Sequence, residues 1–546
     1  MKTRLMLPEG KMRSICFFLS VLLCSIPNVS AQTSDSQMIV GVEYALSDGA
    51  FQNRAAYFKP LVEDGLKALK PLPEAFEWDK MQPDLQGPIN FSVLDDYVRK
   101  YQTAGFEEIF IGLRSRHRIA SVNYHTNPQP QEKYRDAFAH WIHSIVERYD
   151  YDGVDDMPGL VRPVRMYEIG VEFSSYEPEP VEEYLIMLEI AYQEAHGAYP
   201  DVLVLHVPFL VSTVMEQVLG NENPTDQDYK AAFAKRHPKV NPHHGYEDAQ
   251  KLLDRGDLFD VVNTHALGYP DEIRQITTWL KHEMNKRGYK KPIVISDTTP
   301  NFLSAWGISS DCTVSPMIQG VLTYPVVEQD RCRLAAFFNR VLAEDRITVK
   351  DKPNLEWLRK FVAEDTVKKV VVAAGEDVML MNTAYTEDLY HWKWGAGAGT
   401  SAWAGMVEIK WVFDQKNKVW QPFGTLPNYH ALGQILRHLH GYTRVVRQTH
   451  HNNGIPFDPQ VRIYLITKVD GSIAWVAWVE PDKLILPEDP VPTYVFKGWP
   501  GGSAVEVEYL ATAPGQKDGN REVIPTPGGE LSITLTPSPI LVTRIE

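Results

Sequence analysis

Residues 92–114 read SVLDDYVRKYQTAGFEEIFIGLR, and this stretch decides the fold class. Ser92 followed by Asp95 resembles a capping box, Leu94, Tyr97, Val98 and Tyr101 share one face at helical spacing, and Gly105 can close the helix. Ile109-Phe110-Ile111-Gly112-Leu113 follows directly and then gives way to Arg114, Arg116 and His117. A continuous apolar run behind an amphipathic helix is the pattern of a parallel strand buried on both faces.

The same grammar extends in both directions. Met38 to Tyr44 reads as a first strand, residues 57–69 as a helix, and Phe76-Glu77-Trp78 as a second strand. Downstream, strands are expected at 164–172, 202–207, 259–265, 292–297 and 378–382, with helices at 134–149, 181–195, 273–287 and 355–374. Eight strands with intervening helices predict an α/β fold, a TIM (β/α)8 barrel. A doubly wound open sheet is the runner-up, but no Gly-rich phosphate loop follows the first strand. The segment 220–245, rich in Asn, Pro, Lys and His, reads as a long loop. Beyond about residue 440 the pattern changes to short alternating runs at 461–467, 472–479, 493–497, 504–509, 531–535 and 540–545. These predict a C-terminal antiparallel β-sandwich. The expected organisation is a leader over 1–31, a barrel over 32–440 and the sandwich over 441–546.

The leader reading rests on Lys2, Arg4, Lys11 and Arg13 ahead of an apolar run from Ile15 to Ile26, closed by Val29-Ser30-Ala31. That is the form of a cleaved secretory signal, which implies a secreted or periplasmic protein. The run is shorter than the roughly 20 residues a membrane span needs. Cleavage leaves Cys312 and Cys332, which an oxidising compartment permits to pair, although spacing alone does not settle their geometry. The 546 residues carry 55 basic and 70 acidic side chains, a net charge of −15, which argues against a nucleic-acid partner.

Barrel enzymes place their chemistry at the C-terminal ends of the strands. The polar or aromatic residues ending each run, in order, are Glu43, Trp78, Arg114, Glu172, His206, His265, Asp297 and Asn382. Cleaving a glycosidic bond needs two carboxyl groups, one to protonate the leaving oxygen and one to attack the anomeric carbon or activate water. Glu172 and Asp297 are the natural pair. Trp78, Trp394 and Trp403 are candidate platforms for sugar rings, and Tyr269 and Glu328 are weaker candidates. Glu168 shares a strand face with Glu172 and reads as a structural partner for a barrel Arg or Lys. No cofactor is called for. Asp150, Asp152, Asp155 and Asp156 around Gly153 lack the spacing of a calcium loop, and His237, His243 and His244 lack the company of a zinc motif.

Tyr167-Glu168-Ile169-Gly170-Val171-Glu172 resembles the fourth-strand motif of clan A retaining glycoside hydrolases, Trp-Glu-x-x-Asn-Glu, whose last Glu is the acid/base. Residues 76–83, with Ile89-Asn90-Phe91-Ser92 and the helix after them, resemble the passage from the second to the third strand of that clan. Lys291 to Asp297 resembles the seventh-strand motif, and Asn263-Thr264-His265 a substrate-site position. The resemblance implies a barrel with a β-domain behind it and a secreted glycoside hydrolase acting on an oligo- or polysaccharide, with Glu172 as acid and Asp297 as nucleophile or base. Substrate contacts would come from Glu43, Trp78, Arg114, His206, His265, Tyr269, Trp394 and Trp403. Two positions depart from the motif: Val171 replaces the Asn, and Asp297 replaces the nucleophilic Glu. The alternative they raise is a catalytically impaired carbohydrate-binding protein on the same barrel. A third reading is a barrel hydrolase using the histidines and a metal.

Overall fold

The computed structural model describes residues 37–545 except 45–53, 72–75, 124–126, 174–178, 216–217, 219–220, 222–223, 235–243, 299–311, 314–327, 346–347, 384–385, 389–402, 415–416, 452–453, 482 and 501. Its main sheet holds strands β1 (Ile39–Tyr44), β2 (Ala68–Pro71), β3 (Glu108–Leu113), β4 (Met166–Ile169), β5 (Leu203–Leu205), β6 (Phe209–Leu210), β7 (Val262–His265), β8 (Ile293–Asp297) and β9 (Leu380–Thr383). They are parallel, in the order β5-β4-β3-β2-β1-β9-β8-β7-β6. Bridges between Leu205 and Val261 and between Phe173 and Phe209 join the two ends. β5 and β6 are therefore two pieces of one strand, and the sheet closes as a barrel of eight, the fold the alternation predicts.

Closure makes the strand alternation meaningful inside the barrel. Ala68, Phe110, Met166, Leu205, Val261, Val294 and Leu380 pack together as an apolar floor inside the barrel. Two residues further along, on the same face, stand Lys70, Gly112, Glu168, Val207, Asn263, Ser296 and Asn382, most of them polar. A polar layer thus sits directly on the floor. Gly41 makes room in it, since a Cβ there would lie 2.0 Å from Asn382 Oδ1. Residues of the opposite parity, such as Ile109, Ile111, Ile293 and Ile295, face the surrounding helices.

The second strand is a correction. It is Ala68–Pro71, not 76–78, and the preceding helix is Arg54–Asp64. A four-residue strand with a buried lysine in it carries no apolar run, so its signal merged with the helix before it. Phe76-Glu77-Trp78 instead leads into a helical turn at Trp78–Met81. The helix at Ser92–Thr103 is where the sequence puts it, but Ser92 does not cap it; Ser92 N donates to Asn90 Oδ1. The expected loop at 220–245 contains a helix, Asp226–Ala234.

After the barrel strands come a hairpin, β10 (Val407–Asp414) with β11 (Asn417–Thr425), and a helix, Pro427–Leu439. A six-stranded antiparallel sheet follows, β12 (Tyr442–Gln448), β13 (Val461–Lys468), β14 (Ile473–Val479), β16 (Ala504–Tyr509), β17 (Arg521–Pro525) and β19 (Ile540–Ile545). β15 (Tyr494–Pro500) and β18 (Glu530–Leu535) form a second sheet. The two meet through Trp475, Ala477, Val479, Phe496, Leu531 and Val542, which makes the sandwich. The other face of β14, Ala474, Val476 and Trp478, joins the core shared with the barrel helices, so this strand is buried on both sides. Cys312 and Cys332 are disulfide-bonded, with Cα atoms 4.8 Å apart. Among the described residues no helix is long and apolar enough to cross a membrane.

Candidate active site

The polar layer is organised around Lys70. Its ammonium lies 3.1 Å from Glu168 Oε1 and 3.9 Å from Glu43 Oε2, and all three side chains are almost wholly buried. Burial alone would lower the lysine's pKa, but Glu168, Glu43 and Asp297 outweigh it and hold the ammonium well above its ordinary range. Lys70 is thus the partner expected for Glu168. Asn263 Nδ2 donates to Glu168 Oε2 at 2.7 Å and fixes that carboxylate from the other side.

Glu172 and Asp297 stand at the mouth above this layer. The β7–β8 register skips Ser296, so His265 pairs with Asp297. His265 Nδ1 donates to Glu172 Oε1 at 3.2 Å. The Asp297 carboxyl is buried, and that burial pushes its pKa above the ordinary range; Glu172 and Glu168 push it the same way, while His265 and Lys70 pull it down. Asp297 therefore shares one electrostatic environment with Glu172. The backbone of Glu172 has φ of +34°, left-handed in a residue with a Cβ. Such strain persists only where the surroundings over-determine it, and it gathers at functional sites.

The sequence alone matches no family model and no curated protein. Solved structures do match. A family 39 glycoside hydrolase from the gut symbiont Bacteroides cellulosilyticus WH2 is similar with a TM-score of 0.57 and 12% identity, over 94% of this chain and 82% of that one. The two chains share the parallel α/β barrel fold. A glucosidase from Croceicoccus marinus is similar with a TM-score of 0.50 and 13% identity, over 94% and 96% of the two chains. At such identities the likeness is one of fold.

Within this barrel, several residues read as substrate contacts sit elsewhere than expected. Trp78 is fully buried, its ring against Trp141, Phe138 and His117, and offers no platform. Trp403 is likewise buried, edge-on to Phe338, with its backbone N–H on Asp388. An indole suits a core as well as a sugar, and only packing distinguishes the two. His206 is a correction of the same kind: Nδ1 donates to the Val207 carbonyl, Nε2 accepts from Asn263 N–H, and the ring lies between Phe209 and Phe259. Burial pushes its pKa down to about 4, which keeps it neutral. Arg114 pairs with Glu77 at 3.1 Å, and Tyr269 Oη donates to Gln275 Oε1 at the start of the helix Pro270–Lys286. Glu43 and Asn382 belong to the polar layer. Trp394 lies outside the described residues, and so does the side chain of Glu328.

Sequence reasoning missed Lys70, whose strand was misplaced, and Asn127, which no local pattern marks. Among the described residues the carboxylate and histidine groups close enough to hold a metal are Asp226 with His282 and Glu283, and Glu147 with Asp150 and Asp152. Neither includes a residue of the barrel mouth, and Lys286 already places its ammonium 2.7 Å from Asp226 and 3.2 Å from Glu283. His244 pairs with Asp248 and stacks on Phe173.

Proposed function

We propose that this protein is a secreted glycoside hydrolase that cleaves O-glycosidic bonds of an oligo- or polysaccharide by a two-carboxylate mechanism. The observation that carries the reading is the placement of Glu172 and Asp297 at the C-terminal mouth of the barrel around His265, whose Nδ1 bonds Glu172 and whose backbone pairs in register with Asp297. His265 Nδ1–H on Oε1 orients the Glu172 carboxyl, and the acid proton then sits on Oε2. Donation from Oε2 to the glycosidic oxygen lets the leaving group depart as an alcohol. Asp297 meets the developing positive charge at the anomeric carbon, either by attacking it or by taking a proton from an attacking water. Its buried environment and the neighbouring Lys70 set its ionisation. The apolar leader over 1–31 supports export.

The test is hydrolysis of a panel of aryl glycosides by the wild type, Glu172→Gln and Asp297→Asn. Turnover should fall by roughly 10²–10⁴ in the first variant, the usual contribution of a general acid. The anomer released first assigns Asp297 as nucleophile or as base. A wild type that binds oligosaccharides without releasing product would sink the hydrolase reading in favour of a binding protein.

A further inference from the structure

Glu172 owes its strained backbone to neighbours that hold both sides of it. Gly170 N donates to the Leu113 carbonyl of β3 at 2.9 Å, and Phe173 N donates to the Pro208 carbonyl at 2.8 Å. Between these stakes the Val171 peptide is gripped by one side chain. Asn127 Oδ1 accepts from Val171 N at 2.6 Å, and Asn127 Nδ2 donates to Val171 O at 2.7 Å. The amide thus pairs with both ends of the residue preceding Glu172, as a neighbouring strand would. Asn127 is itself buried and anchored, since its backbone N–H donates to Glu179 Oε2 at 3.2 Å, just before the helix Val181–Ala198. The fit is tight: Gly170 has φ of +93°, and a Cβ there would lie 2.8 Å from Asn127 Oδ1.

We infer that Asn127 is a positioning residue that fixes the Glu172 carboxyl for proton transfer by clamping the Val171 peptide, a role that rests on the proposed hydrolase reading. Asn127 touches no reacting atom. Its side chain uses both polar groups on the backbone, so it sets the dihedral angles from which the Glu172 side chain leaves the chain. A general acid displaced by about 1 Å loses on the order of 10²-fold in rate.

The consequence is selective. Poor leaving groups need the acid proton, whereas a dinitrophenolate departs without it. The experiment compares wild type, Asn127→Asp and Gly170→Ala on phenyl and 2,4-dinitrophenyl glycosides of the sugar the wild type accepts. Asn127→Asp keeps the shape and the acceptor but turns the donor to Val171 O into a second acceptor; Gly170→Ala pushes on the same clamp from the other side. In both variants kcat/KM on the phenyl glycoside should drop by roughly 10²-fold, with less than a threefold change on the dinitrophenyl compound. Equal losses on both substrates, or none on either, would overturn the positioning role. A second readout does not depend on turnover: the ring N–H signal of His265 Nδ1, which reports its bond to Glu172. It should move in Asn127→Asp in the same sense as in Glu172→Gln, and an unmoved signal refutes the clamp. A wild type inert on every glycoside, with the His265 signal still responding to Asn127→Asp, would reject the hydrolase reading and leave the clamp standing.

Discussion

Replacing Glu179 by Gln tests the buried electrostatics of the clamp without touching Glu172 or Asp297. Glu179 is 2% exposed and accepts one hydrogen bond from Asn127 N. Burial pushes its pKa from the ordinary 4.5 up to about 7. A carboxyl raised in the folded state binds a proton there that the unfolded chain has already released, so stability falls with rising pH across this window. Its contribution is fully present below pH 4.5 and is lost as pH rises through 7. The 2.5 pH units between the two values, at about 1.36 kcal/mol each, come to about 3 kcal/mol. Gln keeps an acceptor for Asn127 N–H and cannot ionise. The stability difference between Glu179→Gln and wild type should therefore grow in the variant's favour by about 3 kcal/mol between pH 4.5 and pH 8. Urea unfolding followed by tryptophan fluorescence at pH intervals measures it. A difference that stays flat over that range, or moves the other way, would refute the reasoning.

Three further outcomes follow from the same geometry. Lys70 lowers the pKa of Asp297, so Lys70→Met should carry the acidic limb of the pH–rate profile to higher pH; a limb that moves down would contradict it. His206, held neutral with a pKa near 4, should cost about 3 kcal/mol of stability as pH falls from 6.5 to 4, because the unfolded chain takes up the proton first. Its ring signals, identified by their loss in His206→Asn, should still report a neutral imidazole at pH 5.5. Trp78→Ala should destabilise the fold by about 3–5 kcal/mol, as for other buried tryptophans. A raised KM with unchanged unfolding would instead restore Trp78 as a sugar platform.

The order of strands and helices was legible because it is a local property. The continuous apolar run at Ile109–Leu113 and the 3.6-residue periodicity at Leu94–Tyr101 are written in neighbouring residues. β2 escaped because its interior residue is Lys70, and a charge inside a strand erases the apolar signal until a partner is known. Asp297 was legible from its place at a strand end and Glu168 as a partner for a buried lysine, whereas Glu172 lies three residues past the end of β4, beyond the left-handed Gly170, so the strand parity expected between it and Glu168 does not hold. Trp78, Trp403 and His206 were not, since each residue type serves a core and a binding site equally well.

By itself the sequence determined an alternating α/β chain with an antiparallel tail and a carboxylate, Asp297, at the end of a strand, because backbone hydrogen bonding and side-chain alternation depend on near neighbours. Only closure of the barrel decided which polar groups meet. Lys70, Glu168, Asn263 and Asp297 come from four strands and are charged or paired as they are because burial removes water and leaves them one another. Asn127 reaches Val171 across 44 positions of chain, a contact no periodicity encodes.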